Sequence, residues 1–354
     1  MDDFDKQINN FKYKKTNQKK IREYNVGIGI IRVILSFMVV FDHLYDVQKK
    51  QKFIPLLHCH IPTFFVISFY FNYNTLTSFN IEKIKIRFER LLIPYFLWSV
   101  ISWIIFNFYY YILNKNVKHM FIDFIINLLN GRLFDLVLWF QNNLIIITIL
   151  FLIIIFLFKK KYLIILYILY VICYALHYSD INYRFFKNNF SHHSAITFGR
   201  YSEMFPLAVT GFSIAAFNLI EKIRNYKKNA QIISLIILFF ITKYNVFSEK
   251  KSFKYSGFRL NISAICLFIN FSLISTYEIA KSKFTVKIIK KISGYTGGIY
   301  FTHYLIGRGY IIQKISFIKR QSLSYCIVVY LLSYLTCCFC YKIFGKTNLR
   351  HLFS

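Results

Sequence analysis

The sequence predicts an all-α, polytopic transmembrane helical bundle, and three observations carry that prediction. Of its 354 residues, 56% are hydrophobic, and the mean hydropathy is +0.44. Apolar runs of membrane-crossing length, about 20 residues as a helix, recur along nearly the whole chain. The segments between them are polar and rich in Lys and Arg, and none has the composition of a sizeable soluble domain.

Ten spans are expected, at approximately 26–45, 53–73, 91–112, 134–158, 162–178, 201–220, 230–247, 258–280, 297–313 and 322–343. Residues 1–25 then form a basic cytoplasmic tail, 26–343 the transmembrane domain and 344–354 a cytoplasmic C-terminal tail. If the N-terminus is cytoplasmic, the inner segments carry the larger share of the 45 Lys and Arg, by a modest margin. That bias orients both termini inward and places the chain as a multi-pass protein of the cell membrane. The first apolar run lacks a small-residue cleavage site, so no cleavable leader is expected.

The formal net charge of +30 does not read as nucleic-acid binding, because the basic residues are spread over every loop without a basic domain or finger. Anionic lipid headgroups are the expected partners of that charge. Of the seven cysteines, six lie in apolar runs and Cys59 sits near a helix start, as inert buried thiols would. CysCysPheCys at 337–340 and HisCysHis at 58–60 lack the paired ligand spacing of a metal centre, so no metal is expected.

The first span, VGIGIIRVILSFMVVFDHLY over 26–45, holds Arg32, Asp42 and His43. A cation within a span costs at least about 2.5 kcal/mol on insertion scales, so such a residue faces a protein interior and has a role there. Arg32 and His43 are eleven residues apart, about three helical turns, which puts both on one face roughly 16 Å apart along the axis. The second span opens on His60. The third is reached through the basic stretch NIEKIKIRFERLLIP, carrying Arg87 and Arg90, which serves either ordinary positive-inside topology or an anionic cofactor. His192 and His193 fall in a polar outer loop over 179–200, and Glu203 opens the sixth span beside Pro206 and Gly211. The ninth reads SGYTGGIYFTHYLIGRGY and carries His303 and Arg308, a poor lipid-facing helix and a plausible cavity lining.

Six of these landmarks together resemble a known family. Arg32, ten residues, then His43 is similar to the Arg-x10-His signature of the acyltransferase-3 family, integral-membrane enzymes that acylate sugars and polysaccharides. His60-Ile-Pro62-Thr-Phe-Phe-Val-Ile-Ser68 resembles the His-Met-Pro-Leu-Phe-Phe-Phe-Ile-Ser-Gly stretch common in its fucose-4-O-acetylase-like branch, with Phe69 in place of the final glycine. Arg87-Phe-Glu-Arg90-Leu-Leu-Ile-Pro94-Tyr95 resembles the family's Arg-x-x-Arg-Leu-Leu-x-Pro-Tyr. Leu138-Trp139-Phe140, Phe205-Pro206 before Gly211, and Ile299-Tyr300-Phe301-Thr302-His303 follow in the family's order, although the Leu-Arg-Gly opening of some branches is missing.

The resemblance implies a membrane O-acyltransferase moving an acetyl group from cytoplasmic acetyl-CoA, the co-substrate, to a hydroxyl of a cell-surface glycan or its lipid-linked precursor. A sugar hydroxyl is almost wholly protonated near neutrality, so its attack on a thioester needs a base, and His43 suits that work. Arg32 would hold a donor phosphate or stabilise an oxyanion, or else pair with Glu203 or Glu278 to fix helix packing. Glu203 could instead orient a histidine. Arg87 and Arg90 would bind the coenzyme phosphates, and His60 and His303, either of which could meet His43 across a cavity, would bind the acceptor. A polytopic cavity with Arg and His also suits a transporter or flippase for an anionic glycan or lipid precursor. Nothing in the sequence specifies oligomeric state.

Overall fold

The computed structural model describes residues 24–45, 59–112, 124–125, 128, 138–178, 192–243, 258–274, 283–308 and 322–352. Among these residues the fold is all-helical, with no strand. The helices are α1 (Val26–Leu44), α2 (His60–Thr77), α3 (Ile81–Ile112), α4 (Trp139–Phe158), α5 (Tyr162–Tyr178) and α6 (His192–Ala216). They continue with α7 (Leu219–Arg224), α8 (Lys227–Lys243), α9 (Phe258–Ser272), α10 (Lys283–Gly294), α11 (Thr296–Arg308) and α12 (Leu323–Phe344). Among the described residues, four stretches are long and apolar enough to cross a membrane: Val26–Leu44, Ile81–Ile105, Trp139–Ala175 and Leu323–Phe344. The other expected spans coincide with helices that are shorter or more polar.

Local chemistry accounts for the starts. The Asn25 side chain accepts from the Ile28 amide at 3.0 Å, capping α1, and donates to the Ser272 carbonyl at 2.9 Å, which fixes that end of α1 to the end of α9. Asn80 caps α3 in the same way through the Lys83 amide at 3.0 Å. α3 therefore begins ten residues ahead of the expected span, because the charged run after Asn80 consists of good helix formers with no breaker. Arg87 and Arg90 consequently lie inside a helix. Pro94 lies inside it too and lacks the N–H that would bond the Arg90 carbonyl. Beside that gap, Gln141 Nε2 donates to the Leu91 carbonyl at 3.1 Å. α6 likewise starts early, at His192, so His192 and His193 open a helix instead of lying in the expected loop.

Contacts along the helices give their relative directions. Arg32 meets Thr296, and a Cβ on Gly307 would lie 2.6 Å from Leu44 Cδ1. α1 and α11 thus run side by side in the same direction and in matched register. α12 runs against α11, since Tyr325 donates to the Gly307 carbonyl while Tyr341 packs on Tyr295 at 5.5 Å. α2 and α4 are parallel, with Phe65 on Phe140 at 5.1 Å, Phe69 on Phe151 at 4.8 Å and Phe79 on Phe156 at 6.2 Å.

The core is aromatic, and Phe65, Phe69, Phe151, Phe212 and Phe268 are all fully buried. Phe69 stacks on Phe65 and packs on Phe151, so its ring fills the joint between α2 and α4. α6 approaches α2 so closely that a Cβ on Gly211 would collide with the Val66 carbonyl and lie 2.8 Å from its Cα. Backbone cannot yield as a flexible side chain can. Gly211→Leu is expected to separate the two helices and lower stability by about 2 kcal/mol or more, read as a fall in the detergent melting temperature. An unchanged melting temperature would mean that the approach is looser than described.

Part of the expected C-terminal tail packs into the bundle. The 3₁₀ turn Asn348–Leu352 lies against α3, where Trp98 Nε1 donates to the Leu352 carbonyl at 3.3 Å.

Candidate active site

Arg32 projects from α1 and donates through Nη2 to Thr296 Oγ1 at 3.0 Å. The Thr296 hydroxyl in turn donates to the Ser293 carbonyl at 3.0 Å, which orients its lone pairs for the guanidinium. Among the described residues no carboxylate pairs with Arg32, so the alternative of a structural pair with Glu203 is not realised. Glu278 lies outside the described residues.

The guanidinium borders a cavity of about 1240 Å³ enclosed by α1, α2, the start of α4, the α6–α7 corner and the first turns of α11, with Arg90 of α3 also in its wall. Tyr24, Ser36, Ser68, Asn72, Gln141 and Tyr300 supply hydroxyl and amide groups. At its α7 edge Arg224 pairs with Glu221 at 3.1 Å. Three guanidiniums against one carboxylate leave the described wall net positive, and a partly desolvated cavity strengthens the attraction of an anion to that charge.

Arg87 stands apart from this cavity, although it is only three residues from Arg90. It is buried, with Nη2 donating to Thr148 Oγ1 at 2.9 Å and Cζ 5.6 Å from the centre of the Phe69 ring. It lies between α2 and α4, with Nε buried and without a hydrogen-bond partner among the described residues.

The histidines gather at the far end of the α1–α11 pair. The His43 and His303 rings lie 5.4 Å apart, tilted by 33°, and Tyr304 packs edge-on to His43 at 6.2 Å. His303 is fully buried, and its Nδ1 lies 3.0 Å from the Ile299 carbonyl, which can only accept. In the neutral ring that bond puts the proton on Nδ1 and leaves Nε2 a lone-pair acceptor, buried and without a hydrogen-bond partner among the described residues. The pair is one side-chain layer behind the cavity: Tyr300, in the wall, packs 6.2 Å from His303, and His43 follows one turn after Val39, also in the wall.

His60 opens α2, fully buried, beside Ile61, which lines the same cavity. Glu203 is buried within α6, away from the cavity wall. Near it, Arg200 places its guanidinium 4.5 Å from the Trp139 ring centre, and Tyr201 accepts from Asn142 Nδ2 at 3.2 Å. No group of three or more His, Cys, Asp or Glu among the described residues is arranged to hold a metal ion.

Sequence reasoning missed Thr296, Gln141 and Tyr300. The first two carry no signal in an isolated chain, because hydroxyls and amides are common and only a neighbouring helix reveals their use. Tyr300 was within reach, as it stands inside the Ile299–His303 motif.

The parallel packing of α1 and α11 brings Arg32 to Thr296 and His43 to His303, and Arg90 of α3 shares the cavity wall with Arg32. A model of the acyltransferase-3 family, described as an acyltransferase domain, matches residues 25–345. The chain belongs to the acyltransferase-3 family. No curated protein and no solved structure matches it. The matched region takes in every helix described above, and as an acyltransferase-3 protein the chain is a membrane acyltransferase. In this acyltransferase a net positive cavity and a pair of imidazoles lie one side-chain layer apart.

Proposed function

We propose that this acyltransferase moves an acetyl group from cytoplasmic acetyl-CoA to a hydroxyl of a cell-surface glycan or its lipid-linked precursor. The observation that carries the proposal is the shared register of α1 and α11, which sets Arg32 and Thr296 at one depth and His43 and His303 at another. In this reading Arg32 and Arg90 hold donor phosphates, and the thioester extends toward the histidines. His43 takes the proton of the acceptor hydroxyl as its oxygen attacks the thioester carbonyl, and coenzyme A leaves as the thiolate. His303 and His60 bind the acceptor, His303 through the bare Nε2. Ten spans with both termini cytoplasmic accord with the shared direction of α1 and α11, the first and ninth of the expected series.

Purified protein in detergent, given acetyl-CoA and candidate acceptor sugars, is expected to release free coenzyme A thiol in proportion to acetylated product. Thiol release that stays at the no-enzyme rate with every glycan acceptor would remove this reading. Replacing His303 by Asn retains a donor for the Ile299 carbonyl and deletes the Nε2 acceptor. It is expected to raise the acceptor KM about tenfold, the value of one hydrogen bond, while the donor KM stays unchanged. A shift in the donor KM alone would move His303 to the other substrate.

A further inference from the structure

We propose that α10 is an interfacial helix whose lysines bind anionic lipid headgroups at the end of the bundle where α1 begins. Its twelve residues, KFTVKIIKKISG, reach about 18 Å as a helix, well short of the roughly 30 Å hydrocarbon core. They include Lys283, Lys287, Lys290 and Lys291 and no acidic residue. Such a helix does not cross the bilayer; it lies along its surface.

The helix has three sides, each with a different environment. One is docked on the bundle: Ser293 Oγ meets Tyr24 OH at 2.5 Å, and Ile289 packs on α1 where a Cβ on Gly29 would lie 2.9 Å from its Cγ2. Tyr24 precedes α1 and Gly29 is in its first turn, so these contacts place α10 at one end of the bundle, where lipid meets water. The second side is apolar and exposed, with Phe284 at 71% and Ile288 at 40%, one turn apart. The third carries the exposed Lys287 and Lys291, also one turn apart and next to the apolar side. Lys290 lies with Nζ 5.9 Å from the Tyr24 ring centre.

Apolar side chains beside lysines, on a helix held at the end of a membrane bundle, fit the boundary between acyl chains and headgroups. Phe284 and Ile288 enter the chains while the ammonium groups stay at headgroup level. Cations without an acid among them select an anionic headgroup over a zwitterionic one, and each is worth about fivefold near such a surface. Tyr24 belongs to both the α10 contact and the cavity wall, so the bound lipid would sit at the rim of the cavity. The inference does not depend on the acetyl-transfer reading.

The test uses the full chain with its cysteines replaced, Ile288→Cys labelled with an environment-sensitive fluorophore, in vesicles of equimolar phosphatidylcholine and phosphatidylglycerol. In separate samples one lipid or the other carries brominated chains. Quenching by brominated phosphatidylglycerol is expected to exceed that by brominated phosphatidylcholine by about fivefold in local enrichment. The preference should vanish in Lys287→Gln/Lys290→Gln/Lys291→Gln and persist in the corresponding triple Arg variant, which keeps charge and separates binding from misfolding. Equal quenching by both lipids in the parent protein would overturn the proposal. So would no quenching by either, which would mean that water, a second copy of the chain or another protein covers this side. Because the readout is lipid proximity, its failure is distinct from a failure of thiol release.

Discussion

His43→Gln is expected to lower kcat by at least about a hundredfold, since general-base help is worth about 10²–10⁴ in rate, or about 3–5 kcal/mol of barrier. Glutamine keeps some hydrogen bonding and much of the shape but cannot take up a proton. The donor KM is expected to hold, because Arg32 lies eleven residues away on α1, bound to Thr296. His43→Ala should be at least as inactive. It also empties the space beside His303 and Tyr304, so its melting temperature must be read alongside its rate. Single-turnover acetyl transfer to a fixed acceptor measures the chemical step directly. Near-parent turnover in His43→Gln would make His43 a packing residue and move the search for the base to His303 or His60.

Arg90→Ala and Arg87→Ala are expected to fail in different ways, although the sequence presents them as one motif. Arg90 lines the cavity, and a charge-assisted hydrogen bond to a phosphate is worth about 1.5–3 kcal/mol, so its loss should raise the donor KM by roughly 10- to 150-fold. Stability should barely change. Arg87 bonds Thr148 and covers Phe69, so its removal leaves a hydroxyl unpaired and a void in the α2–α4 joint. The expected cost is about 1–3 kcal/mol of stability with the donor KM unchanged. Donor titrations and melting curves on both variants separate the two roles. A raised donor KM in Arg87→Ala with normal melting would place the coenzyme deeper, against α4.

Composition and hydropathy were sufficient for the all-helical membrane class, because backbone groups within lipid must bond inside their own segment and long apolar runs then have little choice. The Arg32–His43 spacing was legible for the same reason: helical periodicity is a local property, and three turns return a side chain to the same face. The ordered motifs pointed to the family that spans 25–345. Three things lay beyond the sequence. The run before Leu91 reads as a charged loop, but capping at Asn80 and good helix formers draw it into α3, which puts Arg87 and Arg90 at different neighbours. Phe69 reads as an intruder on a glycine position, yet what it touches depends on α4 and on Arg87. The meeting of His43 with His303, 260 residues apart in the chain, depends on the direction and register of two helices that the sequence only numbers. Helix-forming tendency is written residue by residue, whereas which helix packs on which is decided by close approaches such as Gly211 on Val66, whose partners the sequence does not name.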